Sequence, residues 1–326
     1  MSLPEIDRPI IVVGAPRSGT TLVFNTFSAR SDLAWFTQHL SRLPRWPSVT
    51  ALARLADVNR GLRKSIDRSD RRRRRLEKLR VGPSEAYGVW ERYCGERFLF
   101  DFLRDQRATS SEAREMRELV GKLLRYQRKA RFATKITGPA RIAYLSSIFP
   151  DARLVHVVRD GRAVVRSLLD VHFWGGTWRE REVAWSGGLT EEDLGRWRAL
   201  DQAPLALAAL QWRAIIRNAR DEARRLAGGR YAELRYEDFV AGPEAALDEM
   251  AEFCELPASA EAHEFLAERV DLRDMNFRWR EAFEPAEVEM LDDLIGDELE
   301  QLGYGGETVA GEPRLSRPFA SATDRQ

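Results

Sequence analysis

Cysteine and histidine are scarce in this chain of 326 residues. The two cysteines, Cys94 and Cys254, fit neither a disulfide framework nor a metal-ligand spacing. This usage is typical of a reducing compartment, so we expect a cytoplasmic protein. Among the four histidines, His156 falls inside an apolar run and is predicted to be a core residue. No cluster of His, Cys and Asp has metal-ligand spacing, so we expect no metal site.

Long hydrophobic runs and a net charge are also missing. No run reaches the roughly 20 apolar residues that span a bilayer, and the N-terminus lacks the pattern of a signal peptide. The net charge of +1 excludes the overall basic footprint of a nucleic-acid-binding protein. Charge is concentrated locally instead, in the run Arg71 to Arg75. We interpret that run as a solvated face, with contact to an anionic membrane or an acidic glycan as the alternatives. Trp46 and leucines upstream of the run favour an amphipathic lid that lies on lipid.

Apolar, β-branched runs alternate with helical patterns along the chain. Strands are predicted in residues 8–16, 131–139, 154–158 and 229–239. The alternation predicts an α/β fold, a parallel sheet like that of the P-loop NTPases with helices on both faces. We expect one domain over residues 1–304, and a flexible tail over residues 305–326. Two inserts are expected within that domain, a helical one at about 40–130 and a Trp/Gly-rich one at about 173–200.

The first predicted strand leads into the loop "GAPRSGTT", which departs from the usual P-loop. Gly14 and Gly19 keep the spacing of G-x-x-x-x-G-K-[ST], but Thr20 stands where the lysine belongs. Backbone N–H groups at such a strand–helix turn bind phosphate. A ligand without a γ-phosphate needs neither that lysine nor Mg²⁺. The predicted phosphate-binding residues are Arg17, Ser18, Gly19, Thr20 and Thr21.

A second anion site is predicted after the third strand. The segment "VVRDGRAVVRS" leaves the strand with Arg159 and places Ser167 eight residues later in the next helix. An arginine at a strand end and a hydroxyl on the following helix can hold a separate phosphate.

Together these segments resemble the sulfotransferase family. "PRSGTT" and "RDGRAVVRS" occur in the family's order, and "KITGP" and "LRYEDFVAGP" are similar to two further family segments. The resemblance covers roughly residues 9–304 and is nearest to the carbohydrate and tyrosylprotein branch. It implies the donor 3′-phosphoadenosine 5′-phosphosulfate (PAPS), with the 5′-phosphate at the loop from Arg17 to Thr21. It also implies the 3′-phosphate at Arg159 and Ser167, and Tyr236 against the adenine.

The resemblance also implies catalytic residues. Lys135 in "ATKITGP" matches the family's lysine, and with Arg17 it is expected to stabilise the charge on the leaving oxygen. The base is less clear, because Thr137 and Gln38 stand where two family branches place a histidine and a glutamate. Glu85 is our first candidate, with the raised pKa that suits a base, followed by His39 and then Glu91.

The implied reaction moves a sulfuryl group from PAPS to an acceptor hydroxyl. We expect a carbohydrate or glycolipid acceptor first, then a small natural-product alcohol or phenol, and peptide tyrosine last. Two other functions stay open: a P-loop kinase, and a non-catalytic protein that binds a nucleotide or an anionic membrane. For the membrane contact, the inner face of the membrane is the expected place.

Overall fold

A parallel sheet of five strands forms the centre of the computed structural model, which describes residues 3–58, 81–171, 185–270, 272, 278–305 and 315–319. The strand order is β2-β3-β1-β4-β5. This confirms the α/β parallel sheet. The strands are β1 (Ile10–Gly14), β2 (Leu33–Trp35), β3 (Arg131–Thr137), β4 (Arg153–Val158) and β5 (Tyr231–Arg235). The sequence predicted all of them except β2, whose three residues are too few to show a periodic pattern.

Helices follow each strand and also fill the described part of the first predicted insert. The short 3₁₀ helices are Pro47–Leu52 and Gly228–Arg230. The α-helices are α1 (Thr20–Phe27), α2 (Gln38–Arg42), α3 (Ala53–Val58), α4 (Tyr87–Cys94), α5 (Arg97–Phe100), α6 (Ser110–Gln127), α7 (Ile142–Ile148), α8 (Gly161–Leu169), α9 (Glu191–Ala199), α10 (Pro204–Leu226), α11 (Tyr236–Ala241), α12 (Pro243–Phe253), α13 (Ala260–Arg269), α14 (Arg278–Ala282) and α15 (Pro285–Gln301). The run Arg71 to Arg75 and most of the Trp/Gly-rich stretch lie outside the described residues.

Both faces of the sheet are buried, which explains why β1 reads as an unbroken apolar run. Ile11 and Val13 belong to one hydrophobic cluster, and Ile10 and Val12 belong to the cluster on the opposite face. A third cluster forms where α8, α10 and α15 meet. Helix α15 contributes buried side chains at the helical spacing seen in the sequence, and these are Leu291, Ile295 and Leu299.

The order in which strands are added to the sheet reverses between β1 and β4, at the middle of the sheet. From β1 the chain passes through α1 to β2 on one side, and from β4 it passes through α8 and α10 to β5 on the other. Ligands of open parallel sheets bind in the crevice at such a switch point, beyond the carboxyl ends of the strands. The loop after β1 and Arg159 after β4 both lie there.

The buried histidine and cysteines have structural surroundings. His156 is fully buried on β4, and its Nδ1 lies 2.6 Å from the hydroxyl of Tyr231. Burial, together with the charge of Arg220, lowers the pKa of His156 to about 3. Cys94 and Cys254 are free and buried, and burial raises the pKa of each thiol to about 12. All three therefore stay uncharged at neutral pH.

Residues 315–319, which fall in the predicted flexible tail, lie against the edge strand β5. Glu233 and Ser316 exchange two backbone hydrogen bonds, of 2.8 and 2.9 Å. Leu315 is buried, and the ring of Phe319 stacks on Tyr231 at 5.7 Å between centroids. These five residues thus lie along a sheet edge, a contact that the sequence did not predict. The limits of the domain stay a prediction.

Among the described residues, we find no helix that is both long enough and apolar enough to cross a bilayer.

The docking of residues 315–319 predicts a measurable loss of stability in Leu315→Ala. Removing a side chain that is 9% exposed should lower the free energy of unfolding by about 1–3 kcal/mol. Urea unfolding followed by circular dichroism measures the change. Leu226→Ala is the matched control, because Leu226 is 40% exposed and its removal should change stability by less than about 0.5 kcal/mol. Equal stabilities of the two variants would contradict the docking.

Candidate functional site

A cavity of about 720 Å³ opens at the carboxyl ends of β1, β3 and β4. Its wall has three parts: the loop after β1 with the start of α1, the ends of β3 and β4, and an aromatic side formed by inserts. The lining residues are Pro16, Arg17, Gly19, Thr20, Thr21, Leu22, Glu85, Tyr87, Leu99, Phe100, Thr137, Arg159, Trp185 and Tyr236.

The loop after β1 presents an uncapped helix terminus to the cavity. Helix α1 begins at Thr20 with no side-chain cap and no acidic residue in its first turn, so its first N–H groups can serve an anion. Gly19 precedes it with φ of 86°, a left-handed conformation that glycine adopts without strain. Arg17 is also left-handed, at φ 71°, and strain of this kind in a non-glycine residue is concentrated at functional sites.

Tyr236 closes the loop from the side of β5. A Cβ atom on Gly19 would lie 2.2 Å from Cδ2 of Tyr236, so this ring touches the loop backbone where only glycine fits. The guanidinium of Arg159 lies 4.5 Å from the centre of the same ring, a cation–π distance. Three residues far apart in sequence therefore form one surface at the switch point.

The two predicted anion sites meet at Arg17. Its Nε donates to Oγ of Ser167 at 2.9 Å, and Nη1 of Arg159 donates to the carbonyl oxygen of Arg17 at 2.9 Å. Ser18 is fully buried and is not among the lining residues. Its hydroxyl oxygen has no hydrogen-bond partner among the described residues. The predicted phosphate-binding residues thus lie together, with Ser18 under the loop instead of at the cavity wall.

Lys135 connects the loop to the opposite wall. Its Nζ donates to Oγ1 of Thr21 at 2.7 Å and forms an ion pair with Glu85. The hydroxyl of Thr137 also donates to Glu85, and the hydroxyl of Tyr87 donates to the carbonyl oxygen of Thr137 at 3.2 Å. The first base candidate and the lysine predicted to stabilise charge are therefore direct partners.

The carboxyl of Glu85 is more acidic than expected from its position. Burial acts to raise its pKa, but the charge of Lys135 and hydrogen bonds from Lys135, Thr137 and Tyr87 outweigh burial and leave the pKa below its ordinary value. The raised pKa expected from the sequence was wrong, because the sequence did not show that Lys135 contacts this carboxyl. The lowered pKa keeps the Glu85 carboxyl ionised, so it can accept a proton. The ion pair with Lys135 makes it a weaker base than an ordinary glutamate.

The other two base candidates lie away from the cavity. His39 is half-buried on α2, and burial together with the charge of Arg42 lowers its pKa. Glu91 is exposed on α4. Neither is a lining residue of the cavity.

The aromatic side of the cavity was not predicted residue by residue. It consists of Tyr87, Leu99, Phe100 and Trp185. The only sequence signal for it was the richness of residues 173–200 in tryptophan. The Trp185 ring packs against Gly138, which directly follows β3. A Cβ atom at Gly138 would lie 2.8 Å from this ring.

Arg141 fixes the position of this side from inside the protein. It is 1% exposed and donates to the carbonyl oxygens of Pro139 at 2.8 Å, Asp101 at 3.0 Å and Leu99 at 3.4 Å. Backbone hydrogen bonds of Ser186 with Phe100 and Phe102, of 2.8 and 3.0 Å, tie in the segment that carries Trp185. Hydrogen bonds to the backbone therefore hold this wall in place.

Comparison with protein families identifies the family of the chain. The model of the sulfotransferase family matches residues 9–260. The chain belongs to the sulfotransferase family. Its Arg17 loop and its Arg159–Ser167 pair both lie within the match. No curated protein sequence matches the chain. In the described part of this sulfotransferase, no group of three or more His, Cys, Asp or Glu side chains is arranged to hold a metal ion.

Solved structures share the fold. Sulfotransferase STF9 from Mycobacterium avium superposes with a TM-score of 0.59 at 19% identity, over 94% of this chain and 79% of that one. Sulfotransferase STF1 from Mycobacterium tuberculosis H37Rv gives a TM-score of 0.51 at 15% identity, over 90% of this chain and 77% of that one. At these identities the likeness concerns the fold.

The ion pair predicts how Glu85 titrates. In Lys135→Met the burial of Glu85 is no longer opposed by the ammonium, so its pKa should rise above 4.5 instead of lying below that value. Carbon-13 NMR of labelled glutamate side chains measures both midpoints, with Glu85→Gln assigning the signal. In the wild type, the stability due to this group is present above the ordinary pKa and is lost as pH falls through the lowered value.

Lys122→Met is the control for this titration, because Lys122 pairs with Glu118 on the surface of α6. It should leave the Glu85 midpoint unchanged. If Lys135→Met leaves it unchanged too, the ion pair does not set the acidity of Glu85.

Proposed function

We propose that this sulfotransferase moves the sulfuryl group of PAPS to an acceptor hydroxyl by in-line displacement. One observation carries the proposal: Arg17, Thr21 and Glu85 line the same cavity, and Lys135 behind the wall contacts both Thr21 and Glu85. A donor anchored at the Arg17 cluster would place its sulfuryl group beside Lys135 and Glu85.

The donor-binding residues fit a nucleotide with two separate phosphates. The uncapped N-terminus of α1, with Thr20 and Thr21, suits the 5′-phosphate. Arg159 and Ser167, which are both hydrogen-bonded to Arg17, suit the 3′-phosphate. Tyr236 is placed to contact the adenine. The absence of a γ-phosphate accounts for Thr20 in the place of lysine.

The catalytic roles follow from where charge develops. PAPS supplies an activated sulfuryl group, and negative charge grows on the oxygen that leaves with the 5′-phosphate. Lys135 and Arg17 stabilise that oxygen. Glu85 takes the proton of the acceptor hydroxyl.

Donor binding would also strengthen the base. An anion at Thr21 competes with Glu85 for the ammonium of Lys135, since Thr21 and Glu85 are both its partners. When Lys135 turns to the donor, the burial of Glu85 is unopposed and raises the pKa of the carboxyl. Glu85 therefore becomes a stronger base when the donor is bound.

The acceptor is an alcohol with an apolar body. Within the described residues, the side of the cavity beyond Glu85 is formed by Tyr87, Leu99, Phe100 and Trp185, which offer stacking and apolar contact but few hydrogen-bonding groups. A free sugar requires many such groups. A glycolipid, or a small alcohol or phenol, fits this wall better than a free carbohydrate or a peptide tyrosine.

Donor binding is tested by calorimetry with adenosine 3′,5′-bisphosphate (PAP), the product of the donor. We expect metal-independent binding that weakens about ten- to a hundredfold in Arg159→Ala, because a charged hydrogen-bond donor to phosphate is lost. Arg224→Ala, at an arginine that is 65% exposed on α10, should bind as the wild type does.

Two results would replace this proposal. Preference for ATP with Mg²⁺ over PAP would favour a P-loop kinase. Tight PAP binding without any turnover of PAPS, across alcohols, phenols and glycolipids, would favour a non-catalytic nucleotide-binding protein.

The base is tested by Glu85→Gln. We expect turnover, measured as PAP released from PAPS with an alcohol or phenol acceptor, to fall about 10²–10⁴-fold. PAP should bind at least as tightly as it does to the wild type, because the carboxylate no longer competes with it for Lys135. Glu91→Gln is the control, since this exposed side chain lies away from the cavity. A loss in Glu91→Gln with normal turnover in Glu85→Gln would move the base to α4.

A further inference from the structure

A surface outside the cavity exposes apolar side chains. It lies on residues 42–55, between α2 and α3, and we name it the 42–55 surface. Its large apolar side chains are Leu43 (50% exposed), Trp46 (64%), Leu52 (41%) and Leu55 (51%). Elsewhere in the described chain the exposed large hydrophobic side chains are three, at 37–40%, so four within fourteen residues differ from the single, scattered leucines of an ordinary surface.

The segment is anchored to the protein by its opposite side. Leu40, Thr50 and Ala53 are buried, and the backbone N–H of Trp46 donates to the carbonyl oxygen of Leu43 at 2.9 Å. The hydroxyl of Tyr93 donates to the carbonyl oxygen of Pro44 at 3.3 Å. These buried side chains and hydrogen bonds hold the segment against the protein, while its exposed apolar side chains contact solvent.

The charge of this surface has one sign. Arg42, Arg45 and Arg54 are exposed among the apolar side chains, and residues 36–56 contain no aspartate or glutamate. A symmetric pairing of two copies through this surface would bring arginines against arginines. An anionic partner is favoured instead.

We propose that the 42–55 surface docks on an anionic lipid bilayer. Tryptophan and leucine side chains enter the interface between headgroups and acyl chains, and arginines beside them bind anionic headgroups. A nucleic acid would use the arginines but would leave the leucines in water. The combination of both kinds of side chain on one anchored segment points to lipid.

Docking would also orient the cavity. Helix α2 packs on α4 so closely that a Cβ on Gly88 would lie 2.6 Å from the carbonyl oxygen of Ser41. The backbone N–H of Ser84 donates to the carbonyl oxygen of Phe36 at 2.8 Å. The chain that carries Glu85 and Tyr87 is therefore attached to the docking segment. The proposal itself does not depend on the reaction, because binding to lipid needs neither donor nor acceptor.

The test is sedimentation of the full chain with vesicles at about 0.15 M salt. Vesicles of phosphatidylcholine and phosphatidylglycerol in equal parts should bind the protein, and vesicles of phosphatidylcholine alone should bind it at least about tenfold more weakly. Leu43→Ser/Trp46→Ser keeps every charge of the chain and should lower the partition coefficient at least about tenfold. Arg42→Ala/Arg45→Ala should lower it about fivefold for each arginine.

The matched control is Leu169→Ser/Leu226→Ser, which removes two exposed apolar side chains elsewhere and should bind vesicles like the wild type. Unchanged thermal unfolding shows that each variant is folded. Binding that persists in Leu43→Ser/Trp46→Ser would assign lipid contact to another basic part of the chain and overturn the proposal. So would an absence of binding to anionic vesicles, or a dimer that dissociates in this variant, since the partner would then be a second copy.

Discussion

The contacts of one ammonium group connect the parts of the site. Lys135 is 5% exposed at the end of β3, and it binds both Thr21 on α1 and Glu85 on the opposite wall. A buried charge of this kind needs partners, because an unpaired ammonium in such a place is costly. The same requirement keeps the Glu85 carboxyl ionised before any ligand arrives. Lys135 therefore links the anion-binding loop to the group that we propose as the base.

The parallel sheet explains why distant residues meet at this ammonium. The carboxyl ends of parallel strands lie at the same end of the sheet. The strand order reverses between β1 and β4, so a crevice opens there. Arg17, Arg159 and Tyr236 follow three different strands and come into contact at that crevice. The strained backbone of Arg17 and the close contact of Gly19 with Tyr236 show that this arrangement is held tightly.

The two apolar features of the molecule have related positions. One is the aromatic side of the cavity, and the other is the 42–55 surface, attached through α2 and α4 to the chain that carries Tyr87. An acceptor with an apolar body and a reactive hydroxyl would suit the first, and a lipid surface would suit the second. The two proposals are independent, since the first is tested by turnover and the second by vesicle binding alone.

The sequence by itself determined the sheet and the strand–loop–helix turn after β1. Short β-branched runs and the spacing from Gly14 to Gly19 are local patterns, and each depends on a few neighbouring residues. Strand β2 and the pairing of residues 315–319 with β5 were missed, because both depend on contacts across the fold and on very few residues. The acidity of Glu85 was misjudged for a similar reason. Glu85 and Lys135 are fifty residues apart in sequence, and a pKa depends on the charges that surround a group in space. Only the tertiary structure decided which charge that was.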